Sequence, residues 1–181
     1  MTVGPTIHAA AVLVGAHAIL IRGPAGSGKS RLALKLIEAA PHGPLIFSRL
    51  VADDRVHVTA AHGRLIARPP SPLAGLIEVR GLGIRRFSHE ETAVVSMVVD
   101  LAAQLPQRLP DGPEAWATVE GIRLPRLAVA AGGDAFSLIL AALRSPPAAA
   151  ALAILFPGSP QRWLTLIPAT RFLRGLQECF W

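Results

Sequence analysis

Apolar residues gather along this chain in short unbroken runs separated by Gly, Pro and Asp. AAVLV (10–14) and HAILIRG (17–23) are two such runs joined through Gly15-Ala16, which predicts two buried strands in a hairpin-like pair. From Ser30 the pattern changes. SRLALKLIEAA places Leu32, Leu36 and Ala39 at helical spacing, with Ala33, Leu34 and Ile37 widening the stripe. A helix of about three turns is expected, ended by Pro41. LIFSRLVADD (45–54) returns as a strand and completes a strand-helix-strand crossover, expected to be parallel and right-handed.

Further on, VHVTAAHGRLIAR predicts a hairpin turning at His62-Gly63, and PPSP (69–72) punctuates the chain before LIEVRGLGI (76–84). TAVVSMVVDLA (92–102) is almost wholly apolar, and its valines favour a buried strand over a helix. QLPQRLPDGPEAW reads as loop, GIRLPRLAVA as a strand interrupted at Pro125, and GDAFSLILAALRS as a helix. Prolines then set off the last part, which reads as an appended helical element. The expected organisation is one α/β domain over 1–145 and a tail over 146–181.

Composition narrows the function classes. With 181 residues and 51% apolar content the chain can bury a full core. The net charge is +6 and the pI about 11.2. The cations are scattered arginines, with no basic run longer than Arg85-Arg86, so a nucleic-acid footprint is not expected. The apolar run Ala148 to Phe156 stops at Pro157, well short of the roughly 20 residues of a membrane-spanning helix. No cation precedes the N-terminal apolar stretch as in a secretory signal, and the single Cys179 excludes an internal disulfide. A cytoplasmic protein with no membrane partner is expected.

The candidate chemistry begins at GPAGSGKS, which is Gly23, Pro24, Ala25, Gly26, Ser27, Gly28, Lys29 and Ser30. It follows an apolar strand and opens a helix, the context a phosphate-binding loop requires. Its glycines let backbone N–H groups turn toward phosphate oxygens, Lys29 can bridge the terminal phosphates, and the Ser30 hydroxyl can meet Mg2+. Nucleoside triphosphate binding is therefore expected. Asp53 and Asp54 arrive 24 residues after Lys29, at the end of the next strand, where a parallel sheet faces its ligand. A single aspartate there would suggest a metal contact. Two suggest divided labour, one organising the metal side and one acting as base for an incoming hydroxyl.

The order IHAAAV, GPAGSGKS, RLVADD and IEVRGLGI resembles the catalytic domain of the HPr kinase/phosphorylase family, in a short form without the family's N-terminal domain, over about residues 6–145. The resemblance implies a P-loop α/β core with a mixed sheet, similar to phosphoenolpyruvate carboxykinase at its nucleotide site. It also implies ATP and Mg2+ as cofactors, an HPr-type phosphocarrier protein as partner, and transfer of phosphate to a serine of HPr. Homo-oligomeric assembly is a further implication.

Position by position, the resemblance assigns Lys29 to the transferred phosphate, Ser30 and Glu78 to the metal, Asp54 to the catalytic base and Asp53 to its support. His8 matches an active-site histidine before the first strand, and Arg108 falls near a catalytic arginine. Gly81 and Gly83 would let the following loop approach substrate. The chain departs from the family in the short stretch RRFSHEET, in VAAGGDAF, which lacks the basic residues tied to dephosphorylation, and in the tail beyond Pro146. Two further readings stay open: a kinase of another protein or small-molecule hydroxyl, and a nucleotide-sensing module without transfer.

Overall fold

A computed structural model of the chain describes residues 6–104 and 112–145. The chain opens with the expected hairpin, β1 (Thr6–Val14) and β2 (His17–Arg22), in antiparallel register from Ala9 opposite Arg22 to Val14 opposite His17. Helix α1 (Lys29–His42) follows the glycine-rich loop, and β3 (Ser48–Ala52) returns antiparallel to β1. Strands β2 and β3 are both antiparallel to β1, so they run parallel to each other with β1 between them. The helix passes through Pro41 instead of stopping before it. A proline in the last turn sacrifices only one backbone hydrogen bond, too little to end the helix earlier.

β4 (Arg55–Ala61) and β5 (Arg64–Arg68) form the hairpin predicted at His62-Gly63, and both turn residues have positive φ, 49° and 72°. β6 (Leu76–Val79) and β7 (Gly83–Arg86) make a separate two-stranded hairpin, with Gly81 and Gly83 at its turn. β8 (Ala93–Leu101) is the valine-rich strand. It pairs with β5 on one side and in parallel with β2 on the other. The pairings β2-β1-β4-β5-β8 therefore close back on β2, and the larger sheet of eight strands is a ring with extensions.

One extension is β9 (Trp116–Val119) with β10 (Ile122–Val129), the latter parallel to β8. β9 corrects the sequence reading, which left Trp116 in a loop; a 3-10 turn at Gly112–Ala115 leads straight into it. β10 is also uninterrupted at Pro125. The strand pairs with β9 over Ile122–Pro125 and with β8 over Arg126–Val129, so proline sits at the handover, where a missing N–H costs the ladders least. Helix α2 (Ala135–Arg144) agrees with the expected helix. The appended element expected over 146–181 lies outside the described residues.

The closed ring explains why β1 and β2 read as unbroken apolar runs. Ala9, Ala11, Ala18 and Leu20 pack to one side with Val56, Leu65 and Val98. Ala10, Val12, Ile19 and Ile21 pack to the other, against Leu32, Ala33 and Leu36 of α1 and Ile139 of α2. Strands covered on both faces need no polar alternation. Full burial of a side chain such as Leu36 or Ile21 stabilises the fold by about 1.5–3 kcal/mol. That packing holds the start of α1, and the loop before it, against the ends of β2 and β8.

Candidate active site

The glycine-rich loop begins where β2 stops. A β-carbon at Gly23 would lie 2.7 Å from Ser27 Oγ and 2.9 Å from the Leu101 carbonyl oxygen, so only glycine lets the loop fold over the end of β8. Gly28, with φ of 94°, turns the chain into α1, whose first N–H groups have no carbonyl partner within the helix. Pro24, Ala25 and Gly26 form the exposed rim. Lys29 is buried, and its Nζ donates to the Gly23 and Pro24 carbonyls at 3.0 Å each, folding the side chain under the loop. Burial lowers the Lys29 pKa, while the charges of Asp53 and Asp54 raise it.

The two aspartates divide at a tight turn between β3 and β4. Arg55 N–H donates to the Asp53 carbonyl at 2.8 Å, and Asp54 takes a φ of 63°. An aspartate tolerates this left-handed conformation better than most residues. Consecutive side chains are thereby sent in opposite directions. Asp53 is 4% exposed, whereas the Asp54 side chain is 67% exposed and opens into the cleft.

Asp53 Oδ2 accepts from the Glu78 backbone N–H at 3.4 Å, and its Oδ1 is buried without a hydrogen-bond partner. Burial raises the Asp53 pKa, against the lowering effects of the Ser30 hydroxyl and of the Glu78 and Asp54 backbones.

His8 reaches the same place from β1. That strand pairs with β3 over its second half and with β4 over Thr6–His8, and the register shifts between Ala11 and Val12. The changeover leaves His8 opposite Arg55, with Nε2 3.4 Å from Asp54 Oδ1. Arg55 Nε stands 4.0 Å from the other oxygen of Asp54.

His8, the loop from Ala25 to Ser30, Asp54 and Glu78 line one cleft of about 490 Å³. Asp53 lies beneath them, joined to the cleft by its bond to Glu78. Glu78 is exposed on β6, and Gly81 and Gly83 sit at the far turn of that hairpin, outside the cleft lining. Arg108 lies outside the described residues.

Sequence reasoning missed Arg31, Leu34, Val79 and Arg80, which also line the cleft. Their signal was proximity alone: Val79 and Arg80 follow Glu78, while Arg31 and Leu34 lie on the first turns of the helix begun by the loop. Among the described residues no group of three or more His, Cys, Asp and Glu side chains could hold a metal by itself. The Ser30 hydroxyl, with the unpartnered buried oxygen of Asp53 behind it, and the exposed Glu78 carboxylate nevertheless suit a hard, oxygen-seeking cation that takes its remaining ligands from phosphate and water.

Comparison with known proteins follows the same lines. The chain is 44% identical over 78 residues to an HPr kinase/phosphorylase of Clostridium beijerinckii, covering 43% of this chain and 24% of that protein. It is 35% identical over 117 residues to an HPr kinase/phosphorylase of Xylella fastidiosa, covering 60% and 35%. The chain thus spans about a quarter to a third of the length of these curated relatives. Among solved structures, the HPr(Ser) kinase/phosphatase of Coxiella burnetii superposes with a TM-score of 0.61 at 25% identity, covering 78% of this chain and 95% of that one. The family model described as the HPr serine kinase C-terminal domain matches residues 1–111, a stretch that holds the loop, the aspartate turn and the β6–β7 hairpin, and the chain belongs to that family.

Proposed function

We propose that this protein is an ATP- and Mg2+-dependent kinase that phosphorylates a serine of an HPr-type phosphocarrier protein, on a P-loop core of the phosphoenolpyruvate-carboxykinase kind. The observation that carries the reading is the meeting of four separate segments in one cleft: His8 of β1, the Lys29 loop, Asp54 at the β3–β4 turn, and Glu78 of β6. Loop N–H groups and Lys29 supply positive potential for the phosphates, and Lys29 exchanges its two carbonyl partners for phosphate oxygens. Ser30 and Glu78 would hold Mg2+, with buried Asp53 behind Ser30 orienting that hydroxyl. When bound there, the cation would supply neutralisation of charge on the phosphate oxygens.

Asp54 is exposed enough to meet a protein hydroxyl and takes its proton as the oxygen attacks the γ-phosphorus of ATP in line, the bond from that phosphorus to the bridging oxygen breaking to release ADP. His8, 3.4 Å away, aims that carboxylate. The acceptor is a protein side chain in this reading, because the carboxylate stands at the open side of the cleft. The same reading makes the protein cytoplasmic and homo-oligomeric, and light scattering of the purified chain tests the second point.

The direct test is the intact mass of HPr after incubation with the protein, ATP and Mg2+. One added phosphate, absent with a Ser→Ala acceptor and with the Asp54→Asn enzyme, is the expected result. No added phosphate while ATP still binds would overturn the acceptor assignment.

A further inference from the structure

A second charged cluster lies behind the loop. Asp100, one residue before the end of β8, stands level with Arg22 of β2 and Ala128 of β10 in the two parallel registers. Its Oδ1 accepts from Arg22 Nε at 2.8 Å, and its Oδ2 accepts from Arg22 Nη2 at 2.8 Å and from Arg126 Nε at 2.5 Å. Arg126 continues to the Glu114 carbonyl at 3.4 Å. One largely buried carboxylate therefore ties the ends of β2 and β8 to the middle of β10. Burial raises the Asp100 pKa, but the two guanidiniums together outweigh it and hold the carboxyl below the ordinary carboxylate range.

An aspartate closing an apolar strand beside the loop strand stands where a phosphate-loop protein can keep its metal-facing acid. Here both oxygens are committed to arginines, so Asp100 has another task. Its neighbours indicate which one. Arg22 immediately precedes Gly23, and Leu101, immediately after Asp100, presents the carbonyl that crowds Gly23. Beyond it, Ala102 takes a φ of 55° and the Ala103 N–H donates to the Val129 carbonyl at 2.9 Å, anchoring this corner to β10.

We infer that Asp100 is a positioning residue for the phosphate-binding loop: by holding Arg22 and Arg126 it fixes the root of the loop against Leu101 and so the direction of the loop N–H groups. The inference rests on the reading of that loop as a nucleotide site. Without the carboxylate charge, two guanidiniums face one another unneutralised, and the strand end carrying Gly23 moves to separate them. Loop alignment suffers, while Asp54 and His8, carried by other strands, stay in place. The loss therefore falls on nucleotide affinity and on the KM for ATP more than on kcat.

The test is titration of the 181-residue chain with a fluorescent ATP analogue and Mg2+, at a temperature where circular dichroism shows every variant folded. Asp100→Asn is expected to weaken binding about tenfold, equivalent to about 1.4 kcal/mol. Asp100→Glu should recover part of the loss. Should Asp100→Asn fail to fold, Arg126→Gln, which leaves the Arg22 pair intact, is expected to give a smaller but measurable loss. A lower Tm with unchanged affinity would make the cluster merely structural and overturn the inference. Wild-type protein that bound no nucleotide would overturn the loop reading and the clamp together. Wild-type binding matched by the variants would overturn the clamp alone.

Discussion

Gly23→Ala puts the geometry of the loop to a quantitative test. The added methyl carbon would sit 2.7 Å from Ser27 Oγ, 2.9 Å from the Leu101 carbonyl oxygen and 3.1 Å from the Leu101 β-carbon. The serine can rotate away, but the carbonyl belongs to the β8 backbone and cannot move without disturbing the sheet. A φ of 152° adds strain of about 1–3 kcal/mol for a residue with a side chain, and overpacking of this kind costs about 1–3 kcal/mol more. The sum, about 2–6 kcal/mol, corresponds to a fall in Tm of about 4–24 °C for a chain of this size. Part of it can be relieved by lifting the loop, which would appear as weaker ATP binding.

Gly15→Ala is the control, since Gly15 also has positive φ, 62°, but nothing lies within 4 Å of its would-be β-carbon. Its cost should be the conformational strain alone, about 1–2 kcal/mol. Thermal melts and nucleotide titrations of both variants separate strain from contact. Equal Tm values for the two variants, with ATP affinity unchanged in both, would refute the close approach of Gly23 to Leu101.

Asp54→Asn should retain ATP binding while slowing phosphate transfer by at least about 100-fold, the lower end of a general base's contribution, as measured by single-turnover transfer to HPr. Asp53→Asn should raise Tm at neutral pH. The folded-state carboxyl has a raised pKa, so its contribution to stability is full below the ordinary value of 3.8 and is lost as pH rises through the folded value. The advantage of the variant should therefore shrink as melts are repeated toward pH 4, roughly the ordinary aspartate range. Leu36→Ala, at a fully buried position between α1 and the sheet, should cost about 2–5 kcal/mol in urea unfolding.

Among the described residues, most strands and both helices could be read from the sequence because their signals are local. Apolar runs with valine, helical spacing after Ser30 and the His62-Gly63 turn each operate over a few residues. The exceptions have two origins. At Pro41 the helix runs on because a proline in its last turn loses only one backbone hydrogen bond. At Pro125 and Trp116, partners distant in sequence override what the residue types usually do: the pairing handover from β9 to β8 accommodates Pro125, and β10 makes Trp116 part of a strand.

At the site, the loop was legible because its chemistry is contiguous from Gly23 to Ser30. Asp100 was not. In sequence it is one aspartate at the end of an apolar run, and only the parallel pairing of β8 with β2 and β10 brings two arginines to it, from 78 and 26 residues away.

By itself the sequence determined the identities that chemistry needs: a glycine-rich loop with a lysine and a serine between a strand and a helix, an aspartate pair at a strand end, and an apolar content sufficient for a rigid core. Tertiary structure alone decided how the paired aspartates divide. The residue types of Asp53 and Asp54 are the same, and nothing local says which one enters the protein. A positive φ at Asp54, in the turn where β1 exchanges β3 for β4, sends one carboxylate under the cleft and the other toward His8. Burial then raises the proton affinity of Asp53, because a charge in low dielectric is costly.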